Sequence, residues 1–131
     1  MSALTAEERK ALIDIANEAR RRAYAPYSKY QVGAALRTRS GRIFTGCNVE
    51  NAAYPSSLCA ERVAIFKAVS AGERTIKAVL VYADTAKPTP PCGACLQVIS
   101  EFAEDAEIAL SNGRSTKTYR LRRLLPYGFR L

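Results

Sequence analysis

The chain of 131 residues contains no histidine. That absence removes the commonest general base, a frequent zinc ligand and the partner needed by Ser/His and Cys/His nucleophile pairs. Proton transfer and metal binding are left to carboxylates, thiols, lysine and tyrosine. Also missing is any apolar run near the roughly 18 residues of a membrane span. The N-terminal stretch carries Glu7, Glu8, Arg9, Lys10 and Asp14 and so has no apolar export region. A membrane partner is not expected, and the cytoplasm is the expected compartment. No repeat, low-complexity tract or linker interrupts the sequence. A single domain over residues 1–131 is therefore expected, long enough for one core.

Acidic residues are in deficit, 12 against 20 Lys and Arg, for a net charge of +8. The excess gathers at Arg20-Arg21-Arg22 and at Arg120, Arg122 and Arg123. The tyrosines are not interleaved with these clusters as stacking platforms, so solvated basic faces are expected rather than a nucleic-acid footprint.

Four cysteines are present. An even set suits disulfides in an exported protein, but there is no export signal, and Cys92 and Cys95 have metal or redox spacing, so reduced thiols are expected. Cys59-Ala60-Glu61 and the later Pro91-Cys92-Gly93-Ala94-Cys95 together supply three thiolates and a carboxylate. Three protein ligands leave one position of a tetrahedral zinc open, which separates a catalytic from a structural site. Glu61, two residues from a ligand, is placed to handle the protons of a water at that position. Zinc nucleobase deaminases carry an H-x-E…P-C-x-x-C pattern, and here Cys59 stands where the histidine would. Three thiolates outweigh the charge of the ion, and Arg62 with the helix N-termini are the candidates for drawing charge from sulfur.

Two other classes compete. Cys47 is either a small buried residue or a fourth ligand, and in the second case a closed structural zinc would support a basic nucleic-acid-binding module. A thiol oxidoreductase built on Cys92 and Cys95 would leave Cys59 and Glu61 unused.

Hydrophobic periodicity places these residues. Thr5-Ala6-Glu7-Glu8 reads as a capping box, and Leu12, Ile15, Ala16, Ala19 and Ala23 follow at helical spacing until Pro26, predicting a helix over about residues 6–24. Val32 to Thr38 and Arg42 to Cys47 flank Ser40-Gly41 as a hairpin. A helix opening at Cys59 ends near Gly72, and Ile76 to Ala83 reads as a strand covered on both faces. Cys92 starts another helix, Glu107 to Leu110 and Thr116 to Arg120 are strands, and Leu121 to Leu125 is a last helical turn. The order α-β-β-α-β-α-β-β predicts an α/β fold, a mixed sheet with helices on both faces. Both cysteine groups then fall at helix N-termini, where the helix dipole favours thiolate.

Read with Asn48-Val49-Glu50-Asn51-Ala52, the two cysteine motifs resemble those of the cytidine deaminases of pyrimidine salvage. The resemblance runs from about Ala25 to Phe129 and includes Ala25-Pro26-Tyr27-Ser28-Lys29-Tyr30, Val32-Gly33-Ala34-Ala35-Leu36, Gly46-Cys47-Asn48 and Leu124-Leu125-Pro126. It implies a three-layer α/β/α fold on a five-stranded sheet and hydrolysis of cytidine and deoxycytidine to the uracil nucleosides and ammonia. It implies one zinc per subunit on Cys59, Cys92 and Cys95, with Glu61 shuttling protons between the water that attacks C4, N3 and the leaving amine. Asn48 and Glu50 would grip the ribose 3′-hydroxyl, and the Ala60 N–H would hold the base O2. Tyr30 would lie against the nucleoside, and Phe129 would reach in from another subunit of a homotetramer. A grip on a free 3′-hydroxyl argues against a polynucleotide editor; a modified cytosine nucleoside or nucleoside antibiotic stays open as substrate. Tyr30 replaces a more usual Phe. Leu96 stands where an Arg commonly follows the second thiol, so a surface or interface contact is expected to be missing.

Overall fold

The computed structural model describes residues 4–131. Its elements are α1 (Ala6–Arg20), β1 (Val32–Thr38), β2 (Ile43–Cys47), α2 (Ala60–Ser70), β3 (Ile76–Ala83), α3 (Gly93–Glu101), β4 (Glu107–Ser111), β5 (Thr116–Arg120) and α4 (Leu121–Leu124), with a 3-10 turn at Tyr54–Ser56. The strands form one sheet in the order β2-β1-β3-β4-β5. Only β3 and β4 run parallel; the other neighbours are antiparallel. The predicted mixed α/β architecture is the one observed.

Strand alternation sorts the core into two layers. From β1, β3 and β4, Ala34, Leu36, Val79, Val81, Ile108 and Leu110 face α2, α3 and α4, where Ala64, Ile65, Ile99 and Leu121 meet them. From the same strands Ala35, Ala78, Leu80 and Ala109 face α1, where Leu12 and Ala16 cover them. The middle of β3 is thus buried on both sides, which explains its continuous apolar run. Burying a side chain such as Leu80 contributes about 1.5–3 kcal/mol.

Two glycines let helices touch the sheet. A Cβ at Gly33 would lie 1.9 Å from the Ala16 carbonyl oxygen, and one at Gly46 would lie 2.3 Å from the Ala60 carbonyl oxygen. Gly46 therefore fixes how closely the first turn of α2 approaches β2.

The capping box forms as predicted, the Thr5 side chain accepting from the Glu8 N–H at 3.1 Å and the Thr5 N–H donating to Glu8 Oε1 at 2.9 Å. The helix stops earlier than its periodicity suggests, at Arg20 rather than near residue 24. Tyr24 pairs instead with the chain after β2, its N–H donating to the Asn48 carbonyl at 3.0 Å and its carbonyl accepting from the Glu50 N–H at 2.8 Å. A tertiary ladder outcompetes one more helical turn. Glu107, buried at the start of β4, was not marked by any sequence signal; Arg9 offsets its burial with Nε and Nη2 at 3.1 and 3.0 Å from Oε2. Among the described residues no helix is long and apolar enough to cross a membrane.

Candidate active site

Cys59 and Cys92 are the N-cap residues of α2 and α3, and Cys95 lies one turn into α3. The three Sγ atoms all lie within 4.8 Å of one another, with Cys59 to Cys92 at 4.0 Å and Cys92 to Cys95 at 3.5 Å. Zinc–sulfur bonds of about 2.3 Å in a tetrahedron separate sulfurs by about 3.8 Å, so the cluster has zinc dimensions. Cys47 is outside it, at the end of β2 opposite Gly33. Among the described residues the cluster therefore consists of three thiols.

The charges around the thiols also fit an ion. A hydrogen bond from Cys95, together with the nearby Arg62 guanidinium, holds the Cys59 thiol down at about 5. Cys95, engaged with that thiolate and buried, is pushed up. The protein alone thus pulls Cys59 and Cys95 in opposite directions, and a divalent cation is what would allow clustered thiols to ionise together. Arg62 Nη2 lies 3.5 Å from Cys59 Sγ, while its Nε is buried with no hydrogen-bond partner among the described residues. A cationic side chain left short of acceptors suits a metal cluster whose thiolates outnumber the charge of zinc. The N-cap position of α2 adds to this, because the Cys59 side chain caps no N–H of its own helix.

Glu61 follows on the first turn of α2, is only 4% exposed and shares a cavity of about 450 Å³ with Cys59 and Cys92. Burial pushes its carboxyl above the usual range, and the neighbouring Cys59 thiolate adds to that. A carboxyl so placed binds and gives up a proton more nearly in balance than an exposed one.

A second part of the cavity lining holds Tyr30, Val32, Asn48 and Glu50, and Ala60 lines the cavity at the start of α2. Asn48 spans the entry to β1: Oδ1 accepts from the Val32 N–H at 2.9 Å and Nδ2 donates to the Tyr30 carbonyl at 2.7 Å. Glu50 Oε1 accepts the N–H groups of Tyr27 and Ser28 at 3.0 and 3.1 Å, and Oε2 accepts the Ser28 hydroxyl. The Ser28 hydroxyl bond holds the Glu50 carboxyl below its usual range.

Phe129 does not line this cavity. It is 66% exposed, and its backbone is gripped from both sides by Gln97, whose Nε2 donates to the Phe129 carbonyl at 2.7 Å and whose Oε1 accepts its N–H at 3.0 Å. Leu96 is not on a surface: it is buried in the core beside α2 and α4, so its position in the described chain has no exposed contact to lose. Sequence patterns gave no sign of Tyr54, Leu58, Val81 and Pro90, which complete the cavity from a 3-10 turn, a bridge, a strand end and a proline loop. Val81 could have been placed only once the parity of β3 was known.

An α/β/α sandwich carrying a three-thiol cluster with a buried carboxylate beside it fits a zinc hydrolase. Residues 6–111 match the family model for the cytidine and deoxycytidylate deaminase zinc-binding region. The cytidine deaminase of Sporosarcina psychrophila is 58% identical over 91 residues, 70% of this chain and 67% of that protein. The one from Halalkalibacterium halodurans is 50% identical over 106 residues, 80% of each chain. A crystal structure of cytidine deaminase from Burkholderia pseudomallei superposes with a TM-score of 0.89 at 45% identity, covering 96% of this chain and all of that one. The chain belongs to the cytidine and deoxycytidylate deaminase family, and its three clustered thiols fit the zinc of that family.

Proposed function

We propose that the chain, as one deaminase unit, hydrolyses cytidine and 2′-deoxycytidine to uridine and 2′-deoxyuridine with release of ammonia. The observation that carries this is a buried Glu61 sharing one cavity with Cys59 and Cys92 of the three-thiol cluster. Cys59, Cys92 and Cys95 would hold zinc, which would supply the Lewis acidity for hydrolysis near neutral pH. Glu61 would take a proton from the attacking water and give it to N3, which draws electron density from C4 as the new C–O bond forms. It would then take the proton of the new C4 hydroxyl and deliver it to the exocyclic nitrogen as the C4–N4 bond breaks, leaving the C4 carbonyl and ammonia. Arg62 and the start of α2 offset the charge of the thiolates, and the N–H of Ala60, the first residue of α2 and part of the cavity lining, would hold the base O2.

Asn48 and Glu50 serve as the sugar grip. After its contacts to the chain, Asn48 retains a second Nδ2 hydrogen and Glu50 retains lone pairs on Oε2. A hydroxyl needs one acceptor and one donor, and the pair can offer both. Tyr30 lies against the nucleoside. Exposed Phe129 completes the cavity of a neighbouring copy in a homotetramer, which sedimentation at assay concentration would read as four chains. Reduced thiols at the site suit the cytoplasm.

Turnover on free cytidine compared with cytosine inside an oligonucleotide tests the substrate class. Cytidine should be turned over and the oligonucleotide left intact; equal rates on both would overturn the sugar grip.

A further inference from the structure

We propose that Ser28 is a positioning residue that aims Glu50 at the 3′-hydroxyl of the substrate. This rests on Glu50 as the sugar-binding carboxylate, and the experiment below separates the two.

Ser28 does not itself line the cavity of Glu61 and the thiols, yet it touches two residues that do. Its hydroxyl donates to Glu50 Oε2, and its backbone N–H donates to Glu50 Oε1 at 3.1 Å. The same hydroxyl accepts the Tyr30 N–H at 3.0 Å. A hydroxyl has a single proton to give, and here that proton goes to the carboxylate, since the contact to Tyr30 uses a lone pair. The two oxygens of Glu50 are held unequally. Oε1 is fixed by two backbone N–H groups, Tyr27 and Ser28, that no substitution of a side chain removes. Among the described residues, Oε2 receives the Ser28 hydroxyl as its side-chain partner. Ser28 therefore decides which way the remaining lone pairs of Oε2 point.

The turn that holds Ser28 ties this to the aromatic wall. The bond from the Tyr30 N–H back to the Ser28 hydroxyl encloses Lys29, whose φ of 59° lies in the left-handed region that non-glycine residues seldom adopt. The hydroxyl is thus the common point of a carboxylate and an aromatic residue on the same cavity wall. Removing it releases only Oε2 of Glu50, because Oε1 keeps its two backbone N–H groups, and it takes one acceptor from Tyr30, whose carbonyl stays held by Asn48 Nδ2; the substrate group that feels this most is therefore the one facing Oε2.

A purely scaffolding serine would, when removed, slow every nucleoside alike. A positioning serine loses its effect when the substrate has no 3′-hydroxyl. The test is kcat/KM of the zinc-loaded enzyme and of Ser28→Ala and Ser28→Thr on cytidine and on 3′-deoxycytidine. The native enzyme should prefer cytidine. Ser28→Ala should lower kcat/KM for cytidine about tenfold, mostly through KM, because a charge-assisted bond is lost, and should leave 3′-deoxycytidine within about twofold. Ser28→Thr should restore the preference. If the alanine variant does not fold, Ser28→Cys, a weak donor of similar size, should give a smaller loss with the same selectivity. Equal losses on both nucleosides, or no loss on cytidine, would overturn the role of Ser28 while leaving Glu50 as the sugar ligand. A native enzyme indifferent to the 3′-hydroxyl would overturn Glu50 in that role and Ser28 with it.

Discussion

The two walls of the cavity use polar groups in opposite ways. The thiol wall is unfinished by itself: Cys59, Cys92 and Cys95 crowd together, and Arg62 Nε is buried without a hydrogen-bond partner among the described residues. The wall of Asn48 and Glu50 is almost finished, since these two side chains already make five hydrogen bonds, to the main chain of Val32, Tyr30, Tyr27 and Ser28 and to the Ser28 hydroxyl. One wall waits for an ion to satisfy it. The other has its polar side chains tied to the fold, and would offer a sugar donors and acceptors already in place. A side chain whose hydrogen-bonding capacity exceeds what the fold consumes can serve as scaffold and still have capacity left for a ligand.

Substitutions sharpen this contrast. On the thiol wall, Glu61→Gln should lower kcat by about 10²–10⁴-fold, as expected for loss of a general acid–base group. Zinc content, measured by metal analysis, should stay at one per chain because the thiols are untouched. Near-native turnover would remove Glu61 from the chemistry. On the wall of Asn48 and Glu50, Asn48→Ala should do two things at once, raising KM for cytidine about tenfold and lowering Tm by about 5 °C, since the half-buried Val32 N–H and the Tyr30 carbonyl lose their partner. A change in KM with Tm unaltered would show that the scaffold role is idle, and would break the contrast from that side. The smallest effect belongs to Cys47→Ser, which should keep its zinc and a kcat/KM within about twofold of native. Loss of metal in that variant would mean the site closes on a fourth thiol.

The parts legible in the sequence were those with local signals. Cys59-Ala60-Glu61 and Cys92 to Cys95 announced themselves by spacing, and the helix that each opens is a matter of a few adjacent residues. The run from Ile76 to Ala83 was equally readable, because burial on both faces writes itself as unbroken hydrophobicity. The early end of α1 was not, since Tyr24 leaves the helix for a pairing with Val49 that periodicity within the helix does not encode. Glu107 looked like an ordinary strand-edge acid, and only the fold brings Arg9 to it. Ser28 stood inside a recognised motif, but its bond to Glu50 spans 22 positions of chain and becomes visible only when the two are adjacent in space. Leu96 read as a lost surface contact because the residue type expected there is polar, whereas helix α3 turns that position inward.

The grip of Gln97 on Phe129 has a consequence for diversification. Both of its hydrogen bonds go to the main chain of residue 129 and none to the ring. The path of the C-terminal segment is therefore indifferent to which side chain stands there, proline excepted, because proline alone lacks the N–H that Gln97 Oε1 accepts. Position 129 separates mount from fitting: variants there should keep the main-chain anchor to Gln97 while changing what the side chain presents at the surface, so a loss of activity at this position would be traced to the ring and not to the path of the chain.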